Sequence, residues 1–82
     1  MADDEEIRSH IGELVAEERA LREKRARSQI SADAEHERLR AIEAELDQAW
    51  DLLRQRDALR SAGGDPAKAA PRPEGVVENY LG

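Results

Sequence analysis

The chain of 82 residues has no cysteine and no phenylalanine, and it has one tryptophan and one tyrosine. Without cysteine, neither a disulfide nor a thiolate metal site can stabilise the fold. No apolar run approaches the length of a membrane span, and the N-terminus is acidic, whereas a secretory signal has a basic start and an apolar stretch. The sequence therefore predicts one small, soluble, cytoplasmic domain that does not contact a membrane.

Charged residues make up 39% of the chain and aromatic residues 2%, a composition that can indicate disorder. Across residues 3–61, however, both charge signs are finely mixed and apolar residues recur at regular spacing. Alanine, glutamate, leucine and arginine at heptad spacing are typical of long helices and coiled coils. The net charge of −6 argues against electrostatic binding to nucleic acid.

Two helices are predicted, at about residues 3–28 and 32–61. Asp3 with Glu6 has the spacing of a capping box for the first helix, and Ser31 is a good N-cap for the second. Gly63 and Gly64 supply a C-cap for the second helix. The apolar heptad positions of the first helix are Ile7, Ile11, Leu14 and Leu21, and those of the second are Leu39, Ile42, Leu46, Ala49 and Leu53.

The two heptad patterns fit together as an antiparallel hairpin over residues 1–62. If the chain turns near Ile30, facing residues have numbers that add to 60, as in Ile7 with Leu53 and Leu14 with Leu46. Each such match pairs a d position with an a position, as an antiparallel coiled coil requires. The sequence therefore predicts an all-α, coiled-coil-like helical hairpin.

Residues beside this seam predict where a second layer packs. On one side, Val15 and Trp50 lie at e positions with His36, and on the other, Leu52 and Leu59 lie at g positions with His10. A self-contained two-helix coil would carry charges there. We expect a homodimer or small helical bundle that covers Trp50, Leu52 and Leu59.

The last twenty residues differ in composition from the predicted hairpin. Residues 63–73 contain three prolines and two glycines and are predicted to be a linker. Residues 74–82 form a short apolar segment with Val76, Val77, Tyr80 and Leu81 at spacing that would make one apolar face of a helical turn. This segment either docks on the hairpin, which we favour, or serves as a peptide motif for another protein.

No catalytic, cofactor-binding or metal-binding residues are predicted. His10 and His36 fall on opposite sides of the hairpin, and neither has a glutamate at the spacing of a di-iron motif. The basic stretch over residues 19–28 has no interleaved aromatics for base stacking and is interpreted as a solvated helix face.

Three functions follow in order of preference. The first is a non-catalytic interaction or scaffold protein that associates with itself and possesses no cofactor. The second is a regulator that binds another macromolecule, such as the transcription machinery, by analogy with factors that insert a helical hairpin into RNA polymerase. The third is a small helical enzyme: "IRSHIGELVAEERALREKR", residues 7–25, is similar to the first helix of all-helical chorismate mutases, with Arg8 and Arg25 at candidate site positions.

The chain also resembles one family over nearly its full length. The segments "EHERLRAIEAELDQAWDLLRQRDALR", "LVAEERALRE" and "GDPAKAAPRPEGVVENYLG" carry the resemblance, and "ELD…WDLLRQR", residues 45–56, is the most specific part. The family consists of short actinobacterial proteins catalogued only as a domain of unknown function. The resemblance implies a stand-alone cytoplasmic protein and no assigned activity.

Overall fold

A computed structural model describes residues 3–72 of the chain. Helix α1 spans Asp4–Ala26 and helix α2 spans Ala32–Ser61; a short 3₁₀ helix, Pro66–Lys68, follows. The helices pack against each other along their length, which confirms the predicted all-α antiparallel hairpin. With 30 residues, α2 is about 45 Å long. Within residues 3–72, neither helix has an apolar stretch long enough to cross a membrane.

Both helices begin at the side chains that the sequence suggests. The Asp3 carboxylate accepts a hydrogen bond of 2.8 Å from the Glu6 amide, and the Ser31 hydroxyl accepts one of 3.1 Å from the Ala34 amide. Each cap satisfies a backbone donor that the first helical turn leaves without a partner. The caps therefore fix where α1 and α2 start.

Both helices end in the same hydrogen-bonded motif. After α1, the Gln29 amide donates to the Lys24 carbonyl at 2.8 Å and the Ser28 amide to the Arg25 carbonyl at 3.1 Å. After α2, Gly64 donates to Leu59 at 2.7 Å and Gly63 to Arg60 at 3.1 Å. This is the Schellman arrangement, in which one residue takes the left-handed conformation. Glycine fills that position after α2 (Gly63, φ 77°), whereas Ser28 fills it after α1 (φ 57°).

The core is a single seam between the helices, in two adjoining clusters. Near the open end of the hairpin, Ile7 and Ile11 pack with Ala49 and Leu53. Toward the turn the second cluster is formed by Leu14, Leu21 and Ile42, against which Ile30 and Leu39 pack. Half-buried Leu46 contacts both clusters, so the seam is continuous. All nine residues assigned to the seam from the sequence are buried or half-buried.

Ion pairs hold the helices together at two levels. Glu17 and Arg38 form a bidentate ion pair, in which Arg38 Nε donates to Glu17 Oε1 at 2.8 Å and Arg38 Nη2 donates to Glu17 Oε2 at 2.9 Å. At the open end, the Asp4 carboxylate accepts a hydrogen bond from Arg56, and its Oδ1 lies 2.5 Å from Nη2 of Arg60. The hydrogen bonds from Arg56 and Arg60 hold the pKa of Asp4 below its ordinary value of 3.8. These pairs fix the register of α1 against α2.

The left-handed Ser28 gives a test of the turn. Ser28→Gly should raise the free energy of unfolding by about 0.5–1 kcal/mol, because glycine has no Cβ to clash in this conformation. Ser9→Gly, at an exposed site inside α1, is the matched control and should lower it by roughly 0.5 kcal/mol. Urea unfolding followed by circular dichroism, at one protein concentration, measures the free energy of unfolding of both variants. A loss of stability in Ser28→Gly would contradict the left-handed conformation of Ser28.

The lowered pKa of Asp4 predicts how the stability of the fold changes in acid. Because this pKa is lower in the folded than in the unfolded chain, Asp4 makes its full contribution to the free energy of unfolding above its ordinary pKa. That contribution is lost as the pH falls through the folded-state pKa. Asp4→Asn should therefore lower the melting temperature at about pH 7 and flatten its decline as the pH falls below about 4. Glu5→Gln, in the same helical turn, controls for the helix dipole. Equal pH profiles for the two variants would contradict the role of Asp4.

Candidate interaction surfaces

The first surface is the side of the hairpin that carries Val15 and Trp50. Trp50 is 48% exposed and Val15 43%, and they are the large apolar side chains left most open among residues 3–72. Both are at e positions, and in the antiparallel register the facing e residues are Val15 with Trp50, Arg8 with Asp57, and Arg22 with Glu43. All of these are exposed. We call this set the Trp50 shoulder; it has an apolar centre flanked at each end by opposite charges.

The second side is already partly covered by the chain itself. Leu52 is half-buried and packs against the core cluster at the open end. Leu59 is also half-buried, and Gly64 approaches it so closely that a Cβ at Gly64 would lie 3.3 Å from Leu59 Cδ2. Leu52 and Leu59, which the sequence predicted as interface residues, are therefore more covered than Trp50 by the described part of the chain.

Residues 65–72 form a strap along α2. The Asp65 side chain accepts from the Ala67 amide at 2.9 Å and starts the 3₁₀ helix, and Arg56 donates to the Pro66 carbonyl at 3.2 Å. Gln55 then donates to the Ala70 carbonyl at 2.8 Å. The sequence assigned this segment to a linker, whereas it lies against α2, since side chains of the helix satisfy its backbone groups.

The centre of the strap's attachment is Asp51, whose side chain is 3% exposed. Its Oδ2 accepts from Gln55 Nε2 at 2.9 Å and lies 3.2 Å from Nε of Arg72; its Oδ1 lies 3.9 Å from Arg54 Nη2. Gln48 completes the attachment by donating to the Arg72 carbonyl at 3.1 Å. A buried carboxylate is stable only with such charged and hydrogen-bonding partners.

Asp51 is an attachment point for the strap that the heptad pattern does not reveal. In the register of α2 it is an f residue, on the face farthest from α1, where a two-helix coil is most exposed. The strap, not the hairpin, buries it. Gln48, Asp51 and Gln55 recur at i, i+3 and i+7 and so form a polar stripe along α2. That stripe, followed by a proline-rich segment, is the signal that sequence reasoning missed.

A groove of about 380 Å³ lies between the strap and the second side of the hairpin. Helix α1 contributes Glu6, Ile7 and His10 to it, and Pro71 of the strap completes the lining. From α2 come Glu45, Gln48, Ala49 and Leu52. Its interior is apolar, and its charged and polar groups belong to glutamate, histidine and glutamine side chains. We call it the Pro71 groove.

The two histidines belong to the two sides of the hairpin already described. His10 is exposed and lines the Pro71 groove, and His36 lines a polar depression on α2 with Asp33, Arg40 and Glu43, at the end of the Trp50 shoulder. Arg8 and Arg25 are both exposed. Within residues 3–72, no three histidine or carboxylate side chains are grouped so as to hold a metal ion. Val76, Val77, Tyr80 and Leu81 lie outside the described residues.

The fold thus defines a class: a small helical hairpin with a strap across the back of its second helix. The chain belongs to the family described as "Protein of unknown function (DUF2630)", which matches residues 3–82. It is 56% identical over 79 residues to "Uncharacterized protein Mb0922c" of Mycobacterium bovis and to "Uncharacterized protein Rv0898c" of Mycobacterium tuberculosis. The matched region covers 96% of this chain and 91% of each relative. No solved structure matches the chain. These matches confirm the resemblance to an actinobacterial family of unknown function.

Asp51→Asn tests the strap. The substitution keeps the shape of the side chain but removes the charge facing Arg72 and Arg54, which should weaken strap attachment by about 1–3 kcal/mol. The heteronuclear NOE of the amides of residues 67–70 and of Arg72 should fall, because the segment moves more freely once detached. Asp47→Asn, one turn earlier on α2, is the matched control and should leave these values unchanged. A rigid strap in Asp51→Asn would show that the carboxylate does not anchor it.

Proposed function

We propose that this is a non-catalytic, cytoplasmic interaction protein that forms a homodimer through the Trp50 shoulder. The observation that carries the proposal is the exposure of the chain's one tryptophan, 48%, next to a valine exposed by 43%. Tryptophan is strongly enriched at the energetic centres of protein interfaces. An apolar centre with a charged periphery is the usual anatomy of such an interface.

The small core supports self-association. Seven apolar side chains are buried among the described residues, all in one seam. Chains of this size without disulfides or metals commonly gain stability by oligomerising, since one seam buries little apolar surface. Packing two Trp50 shoulders together would give a four-helix bundle with a second apolar layer.

Charge selects one arrangement of the two hairpins. On α1 the shoulder's charged residues, Arg8 and Arg22, are basic, whereas on α2 they are the acidic Glu43 and Asp57. A two-fold axis parallel to the helices places α1 of one copy over α2 of the other, so that unlike charges meet and Trp50 faces the partner's Val15. A two-fold axis across the helices would place α1 over α1 and bring like charges together.

Trp50→Glu should convert the dimer to a monomer without unfolding it. The wild-type chain should show twice its mass of 9.2 kDa in light scattering at about 100 μM, a concentration at which even a micromolar Kd gives mostly dimer. Trp50→Glu should show a single chain mass with unchanged helical circular dichroism, because the half-exposed Trp50 is outside the buried core. Ala58→Glu, at an exposed position of α2 away from the shoulder, should remain dimeric.

Charge-reversal variants test the proposed orientation of the two hairpins in the dimer. Arg22→Glu should weaken the dimer, and adding Glu43→Arg should restore it, since the swapped charges again meet across the two-fold axis.

A monomeric wild-type chain would overturn self-association. If that monomer bound purified RNA polymerase and Trp50→Glu did not, the same shoulder would belong to a regulator. Turnover of chorismate that Arg8→Ala abolishes would overturn the non-catalytic assignment.

A further inference from the structure

We propose that residues 74–82 of the same chain dock in the Pro71 groove through Val76, Val77, Tyr80 and Leu81. This groove and the Trp50 shoulder lie on opposite sides of the hairpin, so the inference is independent of the dimer. It assigns an occupant to the apolar space between α1, α2 and the strap.

The strap runs along α2 and ends beside the groove. Pro66 is bound at Arg56, Ala70 at Gln55, and Arg72 at Gln48, so the strap runs back along α2 toward the hairpin turn. Pro71 and Gln48 both line the groove. Arg72, the last described residue, is therefore held near the edge of the groove by its attachment to Gln48 and Asp51.

The remaining chain has the length to fill it. From Glu45 to Leu52, the lining residues of α2 span about 10 Å along the helix axis. Residues 73–82 would cover about 15 Å as a helix and about 33 Å when extended. Either form reaches every part of the groove from Arg72.

The chemistry of the two surfaces matches. The groove offers the apolar groups of Ile7, Ala49, Leu52 and Pro71, and the tail offers two valines, a tyrosine and a leucine that share a face in a helical turn. Glu6 and Glu45 beside the groove are acceptors for the hydroxyl of Tyr80, which needs a partner when its ring is buried. The tail's one carboxylate side chain after Glu74, Glu78, falls between the apolar pairs and can remain in water.

The covalent link to the strap favours binding of the chain's own tail in the groove over binding of the tail of a second copy. A segment joined to the edge of its site has an effective concentration of about 1 mM, which exceeds the concentration of free copies in ordinary solution. The tail also lies within the region that the family matches, which extends to residue 82.

Because the chain has no cysteine, Gly82→Cys gives a unique site for a nitroxide spin label on the full-length protein. Docking predicts that the label removes most of the amide signal intensity at Ile7, His10, Ala49 and Leu52. It should spare Ser28 and Ser31 at the hairpin turn, which lie roughly 25 Å along the helices from His10 and Ala49. In the labelled chain that also carries Tyr80→Ser and Leu81→Ser, the intensity at the groove should return, since the anchors are gone. Broadening spread evenly over the hairpin, or unchanged by the serine substitutions, would overturn the proposal.

A mixed sample identifies whose tail is bound. Isotope-labelled chain without the nitroxide is combined with spin-labelled chain at natural abundance, so that only contacts between copies broaden the signals. The groove amides should keep their intensity, and their loss would show that a second copy supplies the tail and overturn docking in cis. Repeating both measurements in Trp50→Glu separates the proposals, because a docked tail should give the same pattern whether or not the shoulder dimerises.

Discussion

A pair of helices can bury only the stripe along which each faces the other, and this constraint shapes the rest of the molecule. The seam from Ile7 and Leu53 to Leu21 and Leu39 uses the a and d positions, and it leaves the flanks of both helices open. The other surface features of residues 3–72 lie on a flank of the hairpin or on the back of α2. The strap covers one part, the Pro71 groove lies beside it, and the Trp50 shoulder stays open.

The strap makes the hairpin asymmetric. By binding Asp51, Gln55 and Gln48 it adds a partial third layer behind α2, and it forms a groove only on the side away from Trp50. Because hydrogen bonds and ion pairs attach it, not an apolar core, its attachment depends on a few side chains. The two sides of the hairpin are therefore unlike each other, which supports the proposal that they take different partners.

Much of the hairpin could be read from the sequence, because its rules are local or periodic. Asp3 and Ser31 cap helices through residues three positions away, and the heptads of both helices pair in one antiparallel register. The first helix stops at Ala26, two residues before the predicted end, because Ser28 takes a left-handed conformation that serine seldom adopts. Trp50 and Val15 are also exposed at the positions that the heptads give them.

The helices, their caps, their register and the apolar side chains that do not fit in the seam are predictable from the sequence, since each depends on spacing along one or two helices. The packing of residues 65–72 against α2 and the burial of Asp51 are visible only in the folded chain. Periodicity describes how a helix meets another helix, and it assigns an f position to solvent. An irregular segment has no period, so its contacts follow from the particular pairing of its carbonyls and Arg72 with a polar stripe that the heptad would leave in water.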